Sequence, residues 1–258
     1  MNLYEVKIKN FKGIKDKELY FAPGFNLIKG ENGRGKTSIL EAIAVGLGAF
    51  ISGVPEVRTR HIVNSEIRNE YKMIGEGSSA KYSHVPVEIG IKANIDGKDI
   101  YWTRVRNSVN SNTCSTKPKD IVNLAEKMVS DEKSEYPILL FEGTGRVWAQ
   151  KANKDENPFH KKIVRTFGYI DTLSGSINVK MLRNWCIKME LNAYKAKKTI
   201  SEYEAVMKAV SDFLKAINGN DSDYQVFYDS QLEEIMFKRD DEILAVTDLS
   251  AGYQSLVW

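Results

Sequence analysis

One glycine-rich segment constrains the fold of this chain more than any other feature. Residues 30–37 read Gly-Glu-Asn-Gly-Arg-Gly-Lys-Thr and fit the pattern G-x-x-x-x-G-K-S/T at every fixed position. The apolar stretch Phe25–Ile28 precedes it, and apolar residues at helical spacing follow it from Ile39 to Leu47. The order strand, glycine loop, helix predicts a loop that binds phosphate groups, with a plain glycine turn as the alternative.

The residue types in this loop suit a nucleotide bound with Mg²⁺. Glycines let the backbone turn tightly enough for successive N–H groups to point inward, towards the α- and β-phosphates at the positive end of the following helix. Lys36 is expected to reach the β- and γ-phosphates, Thr37 to bind Mg²⁺, and Ser38 to contact an α-phosphate oxygen. The predicted ATP-binding residues are Asn32, Gly33, Arg34, Gly35, Lys36, Thr37 and Ser38, with Thr37 as the metal ligand.

Composition narrows the class of protein only modestly. Hydrophobic residues make up 42% of the 258 residues and charged residues 28%, which is an ordinary globular balance. No run reaches the roughly 18 apolar residues of a membrane helix, and no export signal opens the chain, so we expect a cytoplasmic protein with no membrane association. Cys114 and Cys186 are far apart and are expected to be reduced thiols. The net charge of +3 (37 basic minus 34 acidic residues) does not by itself imply nucleic-acid binding.

Hydrophobic periodicity predicts a mixed α/β fold with antiparallel hairpins and an inserted helical lobe. The expected domains are a nucleotide-binding core with a hairpin over residues 1–150, a helical lobe over 151–220, and strands over 221–258 that return to the core. Residues 53–83 and 107–119 are predicted to be loops, the first with at most one short helix and the second mobile. The predicted strands are 3–8, 19–21, 25–28, 85–95 and 100–105 around Asp96-Gly97, 136–141, 225–228, 234–238 and 243–246, and the predicted helices are 120–129 and a pair within 178–217.

Two apolar stripes in the predicted helical pair are expected to pack in a core. The first consists of Met181, Leu182, Trp185 and Met189, and the second of Tyr203, Val206, Val210, Phe213, Leu214 and Ile217.

A second motif lies far downstream of the glycine loop. Residues 249–255 read Leu-Ser-Ala-Gly-Tyr-Gln-Ser and resemble the signature motif of ABC-type ATPases. The resemblance implies a signature site of Ser250, Ala251, Gly252 and Tyr253 that acts on a partner subunit, in which the serine and the glycine, at a helix N-terminus, grip the γ-phosphate of the partner's ATP. The alternative is that Asp248 or Ser250 merely caps a helix.

Shorter segments resemble narrower families. Residues 10–14 (Asn-Phe-Lys-Gly-Ile) and 30–33 are similar to RecF-, SMC- and Rad50-like ATPases. Residues 141–148 and 168–171, with Trp185, resemble the PtuA-like ATPases of Septu and retron anti-phage systems, although Phe141-Glu142 replaces the more usual tyrosine. This resemblance implies an ABC-type P-loop fold, a homodimer or higher homo-oligomer around composite ATP sites, and an HNH-type nuclease partner.

Other candidate site residues remain open between two interpretations. The resemblance places Glu142 where ABC-type enzymes have a Q-loop ligand to Mg²⁺ and water, but it also fits a solvated carboxylate at a strand end. Arg146 fits either a phosphate or partner contact or a surface arginine. Arg58, Arg60 and Arg68 follow the predicted helix and fit contacts to nucleotide or DNA, or a solvated loop.

The catalytic carboxylate of an ABC-type ATPase is not found. ABC-type enzymes place an apolar strand ending in Asp-Glu and a switch histidine after the signature, whereas no such strand occurs here and His61, His84 and His160 all precede residue 249. We therefore expect a piece of a longer protein, with catalytic residues unknown, that binds ATP but hydrolyses it negligibly.

Three functions are compatible with these features. The first is an ATP-driven dimeric clamp that controls a nuclease in anti-phage defence. The second is a RecF-like DNA-repair ATPase that acts on DNA directly and would carry a basic patch on its DNA-facing side. The third is a scaffold that senses ATP without turnover.

Overall fold

The chain forms two compact units. The computed structural model describes residues 1–74, 78–143, 164–176, 179–218, 223–250 and 252–254. Unit 1 comprises Met1–Glu142 and Val164–Ser174, and unit 2 comprises Gly143–Ile163 and Gly175–Trp258.

Unit 1 holds most of the strands and the helix that follows the glycine loop. Its elements are β1 (Asn2–Phe11), β2 (Ile14–Tyr20), α1 (Lys36–Ile51), β3 (Asn69–Met73), β4 (Ser79–Ser83), β5 (Val87–Ile95), β6 (Lys98–Arg106), β7 (Ser115–Lys117) and α2 (Asp120–Ser130), with 3-10 turns at Asn64–Glu66 and Arg165–Tyr169. Unit 2 holds α3 (Val179–Ala196), α4 (Ser201–Asn218), β8 (Tyr224–Asp229), β9 (Glu234–Arg239), β10 (Glu242–Ala245) and a 3-10 turn at Val246–Asp248.

An antiparallel sheet in the order β2-β1-β5-β6-β7 forms the framework of unit 1. Register pairs Ile8 of β1 with Ile89 of β5, and Ile91 with Trp102 of β6. Because side chains alternate along a strand, these residues share one face, and all of them are fully buried. Burying an isoleucine of this kind stabilises the fold by about 1.5–3 kcal/mol. Helix α1 packs on this face against β5, β1 and β6.

The opposite face of the same sheet is solvated. Lys7 on β1 lies 3.1 Å from Glu18 on β2, and Lys9 lies 3.8 Å from Glu88 on β5. These side chains are about half exposed, so the ion pairs add little stability. The hydrophobic face against α1 therefore determines the register of the sheet.

The hairpin predicted around Asp96-Gly97 is confirmed. Asp96 (φ 52°) and Gly97 (φ 75°) both adopt left-handed backbone conformations between the paired residues Ile95 and Lys98. Two consecutive positive φ angles are what a tight type I′ hairpin turn requires. The strand prediction for residues 3–8 and the helix prediction for 120–129 are also confirmed, whereas the strand predicted at 19–21 is the end of a longer strand, β2, that begins at Ile14.

In unit 2 the predicted helical pair and the strands that follow it are confirmed. Helices α3 and α4 accompany a three-stranded antiparallel sheet in the order β10-β9-β8, and α4 packs on β8. Cys186 and Leu214 lie in this core with Val226 and Phe237. The prediction that the whole stripe on α4 packs in the core is wrong. Val206, Phe213 and Ile217 are 41%, 49% and 50% exposed, and only Met207 and Leu214 of α4 are buried.

Two strand predictions are wrong. Residues 25–28 and 136–141 carry no strand, and within the described residues neither has a neighbouring strand to pair with. Phe25 is 89% exposed and Ile138 is 95% exposed, whereas Leu139 is buried. An apolar run becomes a strand only when another strand satisfies its backbone groups, and the run itself carries no information about that neighbour.

Two loop predictions are also corrected. Residues 53–83 contain the hairpin β3–β4, and residues 107–119 contain the edge strand β7. β3 and β4 are polar and mostly exposed, so they lack the alternation of apolar and polar residues by which strands are predicted from sequence. Across the described part of the chain, no helix is both long and apolar enough to span a membrane.

Candidate nucleotide-binding site

The glycine loop ends where α1 begins. Gly33 (φ 80°) and Gly35 (φ 84°, ψ 14°) both take left-handed conformations, and Gly35 is the residue that precedes the first helical residue, Lys36. A side chain at either position is strained, because left-handed geometry costs an L-residue roughly 1–2 kcal/mol. Two glycines of the motif, Gly33 and Gly35, thus lie where the backbone requires left-handed conformations.

No capping or acidic side chain of α1 itself occupies the N-terminus of this helix. Gly35 makes no side-chain cap, and no acidic residue lies in the first turn. The first helical hydrogen bond runs from Ile39 N–H to Gly35 O at 3.0 Å, so the amides of residues 36–38 precede the helical ladder. Such a helix end carries a partial positive charge and suits a phosphate.

Lys36 folds back over the loop. Its ammonium donates to the carbonyl oxygens of Gly30 and Glu31, both at 2.7 Å. A phosphate oxygen is a stronger acceptor for an ammonium than a neutral carbonyl is. The Lys36 ammonium therefore lies at the mouth of the loop, where it can exchange its hydrogen bonds to these two carbonyl oxygens for hydrogen bonds to a phosphate.

The remaining predicted loop residues lie on the same exposed rim. Asn32, Arg34 and Thr37 are exposed, and Ser38 is half-buried. Arg34 Nε lies 3.1 Å from the Glu31 carboxylate, and both side chains are more than 70% exposed, with 75% for Arg34 and 79% for Glu31. The structure thus brings the seven predicted residues together in one loop and the first helical turn of unit 1.

A turn between β1 and β2 ties the sheet to α1. Lys12 forms an ion pair with Glu41 of α1, and its backbone N–H donates to Glu66 O at 2.7 Å. The Asn10 side chain donates to Pro86 O at 3.0 Å. Residues 10–14, which the sequence connected with RecF-, SMC- and Rad50-like proteins, therefore position the helix that carries the loop.

The signature-like segment belongs to unit 2. Gln254 N–H donates to Ser250 O at 2.9 Å, so a helical turn starts at Ser250, which is exposed. The Tyr253 hydroxyl donates to Asn218 Oδ1 at 2.6 Å, and its ring lies 5.8 Å from that of Phe237. Gly252 is exposed, and Ala251 lies outside the described residues.

Glu142 is exposed, but it does not end a strand as expected. Its neighbour Phe141 is held by a backbone hydrogen bond to Thr172 O at 2.8 Å and by the Arg60 guanidinium, 5.2 Å from the ring centroid. This anchoring, and not strand pairing, sets the path of residues 138–142. Arg146 lies outside the described residues.

The three arginines after α1 have different surroundings. Arg60 donates to Glu66 at 2.7 Å and to Leu173 O at 3.2 Å, so it braces unit 1 from within instead of lining a solvated loop. Arg58 is exposed, and Arg68 lies 3.9 Å from Glu70. Sequence interpretation also missed the buried Arg104 and Arg106 of β6, because arginine in a strand pattern is read as facing solvent.

Comparisons with known proteins fit this architecture. A mixed α/β body that carries a glycine loop ahead of an uncapped helix is the arrangement of P-loop proteins. The family model described as "AAA domain" matches residues 5–241, so the chain belongs to this family.

The RecF relatives match a short part of the chain. The DNA replication and repair proteins RecF of Salmonella paratyphi B and Salmonella newport are each 48% identical to it over 63 residues, which is 24% of this chain and 18% of RecF. The crystal structure of the SmcHead bound to the C-winged helix domain of ScpA superposes with a TM-score of 0.52 at 16% identity, over 100% of this chain and 74% of that chain. This likeness concerns the fold, and it confirms the predicted mixed α/β class with antiparallel sheets.

Proposed function

We propose that the chain binds ATP with Mg²⁺ through residues 30–38, as part of an ABC-type ATPase of the SMC and RecF kind. The observation that carries this proposal is the uncapped N-terminus of α1, which follows two left-handed glycines and has the Lys36 ammonium over its loop. Membership of the AAA-domain family supports it independently.

Each residue of the loop has a task in this proposal. The backbone amides around Gly33 and Gly35 bind the α- and β-phosphates, Lys36 neutralises the β- and γ-phosphates, and the Thr37 hydroxyl binds Mg²⁺. When bound, the metal polarises the terminal phosphate. Among the described residues no cluster of three or more His, Cys, Asp or Glu side chains is arranged to hold a metal.

The proposal extends to a head-to-tail homodimer that closes around ATP. Ser250 and Gly252 are exposed at the start of a helical turn, where a hydroxyl and backbone amides suit the γ-phosphate of a partner subunit. Tyr253 holds that turn against unit 2 through Asn218. ATP hydrolysis then opens the clamp.

Equilibrium titration with a fluorescent ATP analogue and Mg²⁺ tests the loop directly. Lys36→Ala should weaken binding at least about tenfold, because one phosphate contact by a charged group contributes roughly 1.5–3 kcal/mol. Lys29→Ala, which removes an exposed lysine just before the motif, is the matched control and should bind normally. Equal binding by wild type and Lys36→Ala would rule out the proposed site.

A finer proposal assigns the chain to PtuA-like ATPases that act in the cytoplasm and restrain an HNH-type nuclease during anti-phage defence. Its support is the resemblance of residues 141–148 and 168–171. Tyr169 of the second segment is buried and donates to Pro137 O at 2.6 Å, so this segment braces unit 1. Co-purification of an HNH-type nuclease with this chain from its host, lost when ATP is removed, is the expected result.

The competing function is a RecF-like ATPase that acts on DNA directly, and the RecF identity over 63 residues favours it. DNA binding that falls steeply with salt, without any nuclease partner, would support this alternative. ATP-dependent dimerisation with no ATP turnover would instead support the ATP-sensing scaffold.

A further inference from the structure

The carboxyl end of α1 is joined to β6 by a chain of hydrogen bonds. Two hydroxyl groups donate to Gly48 O in the last turn of the helix, that of Ser52 at 2.9 Å and that of Thr59. Arg104 Nη1 donates to the same two hydroxyl oxygens, at 2.9 Å to Ser52 Oγ and at 3.3 Å to Thr59 Oγ1. The two hydroxyls, called the hydroxyl relay below, therefore connect the Arg104 guanidinium to the end of α1.

The charge of Arg104 suits the polarity of this helix end. The C-terminus of a helix carries a partial negative charge, which a nearby cation stabilises. Helix α1 has no basic residue in its own last turn. Arg104 is fully buried, its guanidinium stays protonated, and its oxygen acceptors Ser52 Oγ, Thr59 Oγ1 and Arg60 O are neutral. Strand β6 thus supplies the cation that α1 lacks, and the helix end partly balances a buried charge.

Other contacts between the sheet and α1 lie nearer the middle of the helix. Lys12 forms an ion pair with Glu41, and Trp102 Nε1 donates to Gly46 O at 2.9 Å in a buried hydrogen bond. Trp102 and Arg104 are two residues apart on β6, so both side chains lie on the face that carries α1. The sheet therefore holds the helix at several points along its length, and Arg104 is the contact at its carboxyl end.

We propose that Arg104 is a positioning residue for nucleotide binding, which holds the carboxyl end of α1 so that the amides at the other end lie where phosphates bind. This inference rests on the proposed ATP site at residues 30–38. Helix α1 is continuous over 16 residues, so Arg104 acts roughly 24 Å from Lys36 and does not contact the nucleotide. A rigid helix transmits a displacement at one end to the other end.

Titration of the whole chain with a fluorescent ATP analogue and Mg²⁺ tests this role. Arg104→Met, which removes the cation but keeps an unbranched side chain, should weaken binding about fivefold or more, the usual range of coupling between distant sites. Arg106→Met is the matched control, because Arg106 is buried on the same face of β6 and has no hydrogen bond to α1 or the hydroxyl relay. Its acceptors are Ile62 O, Asn64 Oδ1, Ser108 O and Val109 O. This control should change the affinity less than about twofold.

Affinity separates positioning from a general loss of stability. A less stable variant binds with unchanged affinity while it remains folded, because the apparent dissociation constant depends on the binding-competent fraction. Circular dichroism at the titration temperature measures the folded fraction of each variant. Arg104→Lys keeps the charge and should bind the analogue more tightly than Arg104→Met.

Hydrogen exchange measures the end of the helix without any nucleotide. The amides of Ser52, Gly53 and Val54 donate to Gly48 O, Phe50 O and Ile51 O, each at 3.0 Å. Arg104→Met should reduce the protection of these amides, because the last turn of α1 opens more often. Arg106→Met should leave their protection as in the wild type.

A second variant keeps the arginine and removes the hydroxyl relay. Ser52→Ala combined with Thr59→Val should weaken ATP binding and reduce the amide protection in the same direction as Arg104→Met. Ser52 is exposed and Thr59 is only half-buried, so this variant is expected to fold even where Arg104→Met does not.

Three results would overturn the proposal: wild-type affinity in folded Arg104→Met, an equal loss of affinity in both arginine variants, or wild-type affinity without the hydroxyl relay. Failure of the proposed function gives a different result. In that case the wild type and Lys36→Ala bind the analogue equally, whatever the arginine variants do.

Discussion

The Arg60 guanidinium donates to the Glu66 carboxylate at 2.7 Å, and the two side chains are only 17% and 5% exposed. Glu66 also accepts a hydrogen bond from Val63 N–H at 3.0 Å, so the pair fixes the chain just after α1. Removing one partner of a buried pair leaves the other charge unpaired.

We therefore expect Glu66→Gln to destabilise unit 1 by about 3 kcal/mol, measured by urea denaturation. The exposed pair Arg239–Glu242, in unit 2, provides the comparison at 47% and 53% exposure. Glu242→Gln should cost less than about 1 kcal/mol. If both changes cost the same, burial does not determine the strength of these pairs.

The left-handed conformation of Gly35 predicts a backbone effect in the glycine loop. Gly35→Ala should lower stability by roughly 1–2 kcal/mol and weaken ATP binding, because relief of the strain moves the amides at the start of α1. Gly13→Ala, outside the loop, is the control, since Gly13 has no positive φ and open space for a methyl group. Calorimetric melting measures the stability, and equal effects at both positions would contradict the argument.

The packing of α1 on the sheet predicts a rescue experiment. A methyl group on Gly46 would lie 2.3 Å from Ile91 Cδ1, so Gly46→Ala should cost about 1–3 kcal/mol through overpacking. Ile91→Val removes that δ-methyl group and should recover part of the loss in the double variant. A double-mutant cycle in urea measures the coupling, and strict additivity would show that the two positions do not press on each other.

The lowered pKa of His61 predicts a pH dependence of stability. Since the folded protein holds this ring neutral more strongly than the unfolded chain does, the unfolded state binds more protons below the ordinary histidine pKa of about 6.5. The free energy of unfolding should therefore have its full value above about pH 6.5 and should decrease as the pH drops towards 5. His61→Gln should flatten this part of the melting-temperature profile.

Local signals explain which elements were predictable from sequence. The turn at Asp96-Gly97 and the helical pair depend on residues close together in the chain, and both are confirmed. Residues 25–28 and 136–141 are apolar enough for strands but lack a paired neighbour in the described structure. That requirement is tertiary, and periodicity does not contain it.

The candidate sites divide in the same way. The loop at 30–37 is recognisable because phosphate binding demands particular residues at fixed spacing, whereas the surroundings of Arg104 are not. Arg104 lies in a strand that reads as solvent-facing, and its acceptors Ser52 and Thr59 lie 52 and 45 positions away along the chain. Buried charged contacts of this kind have no sequence signature.

Dimerisation provides the last prediction. A non-hydrolysable ATP analogue with Mg²⁺ should double the mass measured by light scattering after size-exclusion chromatography. Ser250→Arg should abolish that gain, because a long side chain at the exposed start of the helical turn blocks the γ-phosphate of the facing subunit. Gln231→Arg adds the same charge at another exposed position of unit 2 and should dimerise normally. A mass that ATP does not change, or that Ser250→Arg leaves doubled, would remove the dimer from the proposed function while leaving nucleotide binding at Lys36 to its own test.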